Sequence, residues 1–153
     1  MDSIRSGKLE ILLVEDDDTD IFFVERAARA SQHVQSFHVV RNGVEAIKYL
    51  KGEPPYSDRA KHPMPNVILT DIQMPIMGGF DFLRWLQEHS ECRIIPVMVY
   101  SSSKMESDVK QAYILGANAY YYKPSQMKDM LEFLQFAYEF WVRCECPPIP
   151  PAC

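Results

Sequence analysis

Five times along this chain a short apolar run gives way to a longer segment with apolar residues at helical spacing. The runs are Leu9–Val14, Gln35–Val40, Asn66–Thr70, Ile94–Tyr100 and Ala119–Tyr122. Runs this short, rich in Val, Ile and Tyr, read as strands. The segments between them read as helices, at Thr19–Ala30, from Val44 to Lys51, Gly79–His89, Lys104–Leu115 and Ser125–Arg143. Asp17 or Asp18 can cap the first helix, Asn42-Gly43 marks entry to the second, and Gly116 closes the fourth as a C′ glycine. Strict β-α alternation demands a parallel sheet, because each crossover helix returns the chain to the same edge. With right-handed crossovers, the natural five-strand solution is a doubly wound α/β sheet in the order 2-1-3-4-5.

That order decides which residues meet. Strands one and three become neighbours, and ligands bind such sheets at the carboxyl ends of the strands. Strand one delivers Glu15 and Asp16 to that edge, strand three Asp71, strand four Ser101 and strand five Lys123. Three carboxylates at one rim cannot all stay ionised cheaply. A hard divalent cation with oxygen ligands, such as Mg²⁺, relieves them. A carboxylate held beside such a cation can act as a nucleophile toward phosphorus. The Lys123 ammonium and Ser101 hydroxyl are suited to offset charge on a transferring phosphoryl group. Taken singly each residue has a plainer reading: the acids as helix N-terminal charges, which suits Asp17 and Asp18, and Lys123 as a solvated loop residue.

The remaining composition narrows the field. The chain has 153 residues, 47% of them apolar, which fits one domain with a working core. A net charge of −5 gives no footing for nucleic acid or an anionic membrane. The polar N-terminus M-D-S-I-R-S-G-K carries no signal-peptide apolar region, so a cytoplasmic protein is expected. Four cysteines at 92, 144, 146 and 153 are too few and too uneven for a disulfide framework and lack zinc-site spacing. They are expected to be reduced thiols without chemistry. The four histidines show no ligand spacing either.

The segments I-L-L-V-E-D-D, I-L-T-D-I-Q-M-P, V-Y-S and Y-Y-Y-K-P resemble the receiver domain of two-component response regulators. The likeness spans about residues 8–143, leaving an N-terminal extension of residues 1–7 and a Pro-rich tail of residues 144–153. It implies a flavodoxin-like fold, with Asp71 as phosphoacceptor and Glu15 and Asp16 as the acid pair. It implies Asp16 as a direct Mg²⁺ ligand and the Gln73 backbone carbonyl as another. Ser101 and Lys123 match the family's hydroxyl and lysine, and Tyr120 its aromatic switch position. Within the family the likeness is to stand-alone receivers of the phytochrome-associated type. The Pro-rich loop before strand three, I-P-V-M-V-Y-S-S-S, and Phe140-Trp141 carry it.

The implied function is a single-domain response regulator. It would take a phosphoryl group from a sensor histidine kinase or phosphotransfer protein and signal through protein contacts. It would be no enzyme beyond its own phosphoryl transfer and dephosphorylation. The competing readings are a phosphorylation-independent pseudo-receiver and an enzyme on the same sheet. A pseudo-receiver would have lost an acid or the lysine, whereas a flavodoxin-type carrier would want a Gly-rich loop where this chain has acids. Two departures stand out: Gly78 where many receivers carry a capping Asp, and Ser102 where Ala or Gly is usual. Ser102 and Gln73 are expected to tune phosphate lifetime.

The last helix carries one apolar stripe at Met127, Leu131, Leu134, Tyr138 and Trp141, and a second at Phe133, Phe136 and Phe140. One stripe docks a helix. The second predicts a homodimer surface shared with the fourth helix and fifth strand, or with the tail, unless the tail folds back and covers it.

Overall fold

A computed structural model describes residues 7–153; residues 1–6 of the expected N-terminal extension lie outside the described residues. The strands are β1 Leu9–Val14, β2 Val34–Val40, β3 Val67–Thr70, β4 Val97–Ser101 and β5 Ala119–Tyr122. The helices are α1 Asp18–Ala30, α2 Gly43–Lys51, α3 Gly79–Glu88, α4 Glu106–Ile114 and α5 Met127–Arg143. All five strands are parallel in the order β2-β1-β3-β4-β5. The fold is thus the doubly wound sheet that the alternation predicts, with the flavodoxin-like strand order that the resemblance implies.

Alternate strand residues divide between two cores, as the pleat requires. Leu12, Val14, Ile68 and Val99 pack with Ala46 and Leu50 of α2, Phe82 and Leu86 of α3 and Ala112 of α4. Leu9, Ile11, Leu13, Leu69 and Tyr100 pack on the opposite face with Val24 and Ala27 of α1 and Met130 and Leu134 of α5. The β1–β3 register pairs Val14 with Thr70. The next residue on each strand, Glu15 and Asp71, therefore leaves the sheet at the same level.

The local signals act where expected. Asp17 caps α1, its carboxylate accepting from the Asp20 N–H, and Asn42 caps α2 through Glu45 N–H. Strand four is shorter than expected. Ile94, Ile95 and Pro96 form the turn into β4, where Pro96 lacks the donor a ladder needs. On α5 the docking face is centred on Met130, Leu134 and Ala137, with Met127, Leu131, Tyr138 and Trp141 flanking it half-buried. Phe133 stacks on Tyr121 with ring centroids 4.0 Å apart, whereas Phe136 and Phe140 remain exposed.

The Pro-rich tail does fold back, but not over those phenylalanines. Ile149 and Cys153 pack against the α2–α3 core, and Cys153 N–H donates to the Leu50 carbonyl at 3.1 Å. This brings Cys153 to Cys92, with Cα atoms 5.5 Å apart, and the two are paired as a disulfide. The expectation of four reduced cysteines is thereby corrected. The pair lies 61 residues apart in sequence, a proximity that spacing cannot reveal. Cys144 and Cys146 are free, and Cys153 forms no site with them.

Candidate functional site

The site sits where β1, β3 and β5 end. Glu15 is fully buried, and its Oε1 accepts from the N–H groups of Asp16 and Asp17, both at 3.1 Å. That fixes Oε2 toward Lys123 Nζ at 2.8 Å, an ion pair without the direction of a good hydrogen bond. Asp71 is held just as firmly. Its main-chain N–H continues the ladder to the Val14 carbonyl at 3.0 Å, and Oδ1 accepts from Ile72 N–H at 2.7 Å. Oδ2 accepts from Lys123 Nζ at 3.0 Å. One oxygen of Glu15, Asp16 and Asp71 each lies within 4.8 Å of the others. Among the described residues this is the cluster of acids with the spacing of an oxygen-ligand cation site.

The electrostatics follow from the burial. Desolvation pushes the Glu15 carboxyl up to about 7; its contact with Lys123 opposes this and the Asp71 charge adds to it. Lys123 is also desolvated, which alone would lower it. Its contacts with Asp20, Glu15 and Asp71 outweigh that, and the ammonium is held well above the ordinary lysine range. One cation thus serves several acids, and charge relief is incomplete. The donor set, all oxygen and over-rich in negative charge, fits a hard divalent cation.

The other expected residues fall around this centre. Ser101 is buried at the end of β4, its Oγ accepting from Ser103 N–H at 3.1 Å, and its carbonyl accepts from Lys123 N–H at 2.9 Å. Tyr120 lies half-buried on the α4 side of β5, and its hydroxyl donates to the Ser103 carbonyl at 2.8 Å. Tyr121 faces the opposite core and Tyr122 is exposed, as alternation predicts. Gln73 and Ser102 are exposed beside the site.

Residues 11–135 match the response regulator receiver domain. The chain belongs to the receiver domain family of response regulators. This receiver is similar to the response regulator Rcp1 of Synechocystis sp., with 31% identity over 132 residues, 86% of this chain and 88% of Rcp1. The phosphorylated cyanobacterial phytochrome response regulator RcpA superposes with a TM-score of 0.79 at 30% identity, covering 92% of this chain and 99% of RcpA. The Mn²⁺-bound form of Rcp1 gives a TM-score of 0.76 at 30% identity, covering 92% of this chain and 99% of Rcp1. The receiver is therefore a response regulator of two-component signalling, similar to the phytochrome-associated stand-alone type. Among the described residues, no helix is long and apolar enough to cross a membrane.

Two residues of this receiver's site escape sequence reasoning. Asp20, in the first turn of α1, accepts from Lys123 Nζ at 2.7 Å, as close as any acid in the cluster. Its signal is position N3 of a capped helix, where an acidic side chain folds back toward the N-terminus. Here it reaches across to β5 rather than to its own cap. Arg41, at the end of β2, donates to the Asp16 carbonyl at 3.2 Å and to Asp18 Oδ1 at 2.7 Å, bracing the acid loop from outside. No local pattern announces Arg41; the β1–β2 pairing places it.

Proposed function

We propose that this receiver accepts a phosphoryl group on Asp71 from a phosphohistidine of a sensor kinase or phosphotransfer protein. The observation that carries the reading is the Lys123 ammonium, 3.0 Å from Asp71 Oδ2 at the mouth where three carboxylates converge. A nucleophilic carboxylate, a fixed cation and room for charge relief share one sheet edge. An Asp71 carboxylate oxygen attacks phosphorus, the P–N bond of the phosphohistidine breaks, and its electron pair stays on the imidazole nitrogen. The product is an acyl phosphate.

Glu15, Asp16 and Asp71, with the Gln73 backbone carbonyl, would hold Mg²⁺. Bound there, it supplies positive charge against the phosphoryl oxygens. The Mn²⁺-bound relative supports a divalent cation of this class. Ile72 N–H orients the attacking carboxylate, Lys123 exchanges a carboxylate for a phosphoryl oxygen, and Ser101 donates its hydroxyl to another. Displacing Lys123 and Ser101 biases the β4–α4 loop, to which Tyr120 is already bonded, and so passes the change to the α4–β5 surface. Exposed Ser102 and Gln73 flank the phosphoryl position and set how long it survives.

The message leaves by protein contact in the cytoplasm, including contact with a second copy. A groove of about 810 Å³ runs between β5 and α5, lined by Tyr120, Tyr122, Phe133, Phe136 and Phe140. The exposed phenylalanines and the free edge of β5 support a homodimer formed there. The tail is engaged elsewhere, which favours the α4–β5–α5 face over one that uses the tail.

The test is incubation with Mg²⁺ and acetyl phosphate, read by intact mass. A single added phosphoryl group is expected in the wild type and none in Asp71→Asn. Equal modification of both proteins, or of neither, would overturn the assignment. Modification of neither would also return the pseudo-receiver reading, which the intact acids and lysine disfavour.

A further inference from the structure

The tail of residues 144–153 is not used by the phosphorylation reading, yet it is docked with care. Arg59, in the Pro-rich loop after α2, donates Nη1 to the Tyr49 carbonyl at 2.8 Å and Nη2 to the Leu50 carbonyl at 2.9 Å. These are carbonyls of the last turn of α2; Tyr49 also accepts from the capping Gly52 N–H at 3.1 Å, and Leu50 from the Cys153 N–H. The same guanidinium donates Nε to the Pro151 carbonyl at 3.2 Å. Gly52, with φ +70°, leaves the space this requires; a Cβ there would come 3.1 Å from Arg59 Nη2. Cys153 then meets Cys92, which is fully buried in the turn between α3 and β4. The clasp therefore lies at the sheet edge opposite Asp71.

We infer that Cys92 and Cys153 are a reversible redox site whose state decides whether the tail is docked. Residues 147–153 belong to no helix or strand and carry four prolines, so few bonds hold them. Two main-chain acceptor and donor contacts and Ile149 do so apart from the disulfide. Removing the cross-link leaves those contacts to oppose the entropy of a free segment. The two sulfurs also differ in access. Cys153 is half-buried while Cys92 is shielded, so an incoming thiolate reaches Cys153 first.

The co-reactant is a low-molecular-weight thiol and its disulfide. A thiolate attacks Cys153 Sγ, forming a mixed disulfide and releasing Cys92 as a thiolate that takes a proton. A second thiolate attacks the small-molecule sulfur of that mixed disulfide and frees Cys153, which is protonated in turn. Two small thiols become one small disulfide, and the protein gains two electrons and two protons. Oxidation is the reverse. Cys146 competes poorly, because burial, together with Cys144 and Glu145, pushes its thiol up and keeps it protonated.

The experiment equilibrates the full chain in glutathione buffers from reducing to oxidising. Each sample is quenched by alkylation, and the cysteine peptides and amide exchange of residues 147–153 are read by mass spectrometry. A linked Cys92–Cys153 peptide is expected at oxidising ratios and alkylated thiols at reducing ones, while Cys144 and Cys146 enter no link within the chain at any ratio. Exchange of the tail should quicken roughly tenfold or more on reduction. Because the closed loop is long, Tm should fall by about 10 °C. Cys153→Ser should show the reduced behaviour at every ratio, and its half-buried position makes it safer for folding than a change at Cys92.

Alkylation of both cysteines at every ratio would overturn the site. A linked peptide that persists in excess dithiothreitol without denaturant would overturn its reversibility. Tail exchange unchanged between the two states would overturn the clasp. Acetyl phosphate labelling of Asp71 in both redox states is a separate measurement, so failure of one reading leaves the other standing.

Discussion

Lys123 carries more of this receiver's electrostatics than any other side chain. Its three acidic neighbours differ in environment: Glu15 is 0% exposed at the side chain, Asp71 13% and Asp20 33%. Replacing the ammonium by an isostere leaves two buried carboxylates facing each other, so Lys123→Met should cost about 3 kcal/mol at pH 8. Asp20→Asn removes a partner at the solvent rim and should cost under about 1 kcal/mol, despite its short contact. Urea denaturation of the two variants separates these outcomes. A second residue-scale effect is at His38 on β2, whose ring lies 5.8 Å from that of His62 and 5.9 Å from Tyr49. Burial first, and then His62, push its imidazole below the ordinary value of 6.5. The unfolded chain therefore binds the proton more readily. The stability that neutral His38 contributes is in place above pH 6.5 and is lost as pH falls through its depressed value in the fold. His38→Gln should flatten the fall in stability between pH 6.5 and 5, measured by urea midpoints.

Among the elements, the turn from β3 into α3 does the most to shape the site. Thr70 Oγ1 donates to the Asp71 carbonyl at 2.9 Å, and Gly79 N–H donates to the Ile72 carbonyl at 2.8 Å. The start of α3 is thus pulled against the backbone that carries Asp71, the proposed phosphoacceptor. A Cβ at Gly79 would come 2.0 Å from the Asp71 carbonyl oxygen, a contact with backbone that no rotamer relieves. Gly79→Ala should therefore cost about 1–3 kcal/mol and weaken divalent-cation binding at the displaced Asp71; urea denaturation and Mn²⁺ titration check the two effects. Gly78 behaves differently from the helix-capping Asp common in receivers. It offers no side-chain cap, and a Cβ there would lie 2.7 Å from the Ile72 carbonyl. Ile76, in the same turn, has φ +69° and is 84% exposed. A β-branched residue is strained in that conformation and gains no burial in exchange. Ile76→Gly should raise stability by about 1 kcal/mol in the same urea assay, strain relief exceeding the entropy glycine loses.

For the whole molecule, α5 faces both ways. Its buried side holds the sheet, and its outer side offers Phe136 at 70% exposure and Phe140 at 51%. Phe136→Glu with Phe140→Ser should leave Tm unchanged within about 2 °C, since neither residue packs in the core. If the proposed dimer forms on this face, light-scattering mass should rise toward a dimer with concentration in the wild type and stay that of a monomer in the variant. The β-α alternation, the strand order and the residues at the strand ends were legible in the chain because each rests on local chemistry. Periodicity sets the elements, handedness limits the crossovers, and strand order carries Glu15, Asp71 and Lys123 to one rim. The short β4 departs from the expected strand for a local reason as well, with Pro96 outvoting the apolar run around it. What the tertiary structure alone decided was long-range pairing without a local signature. Asp20 reaching Lys123 across 103 residues, Arg41 bracing the acid loop, and Cys153 meeting Cys92 beneath the sheet all belong to it. Such contacts depend on where a finished fold brings surfaces together, and neither spacing nor composition encodes that distance.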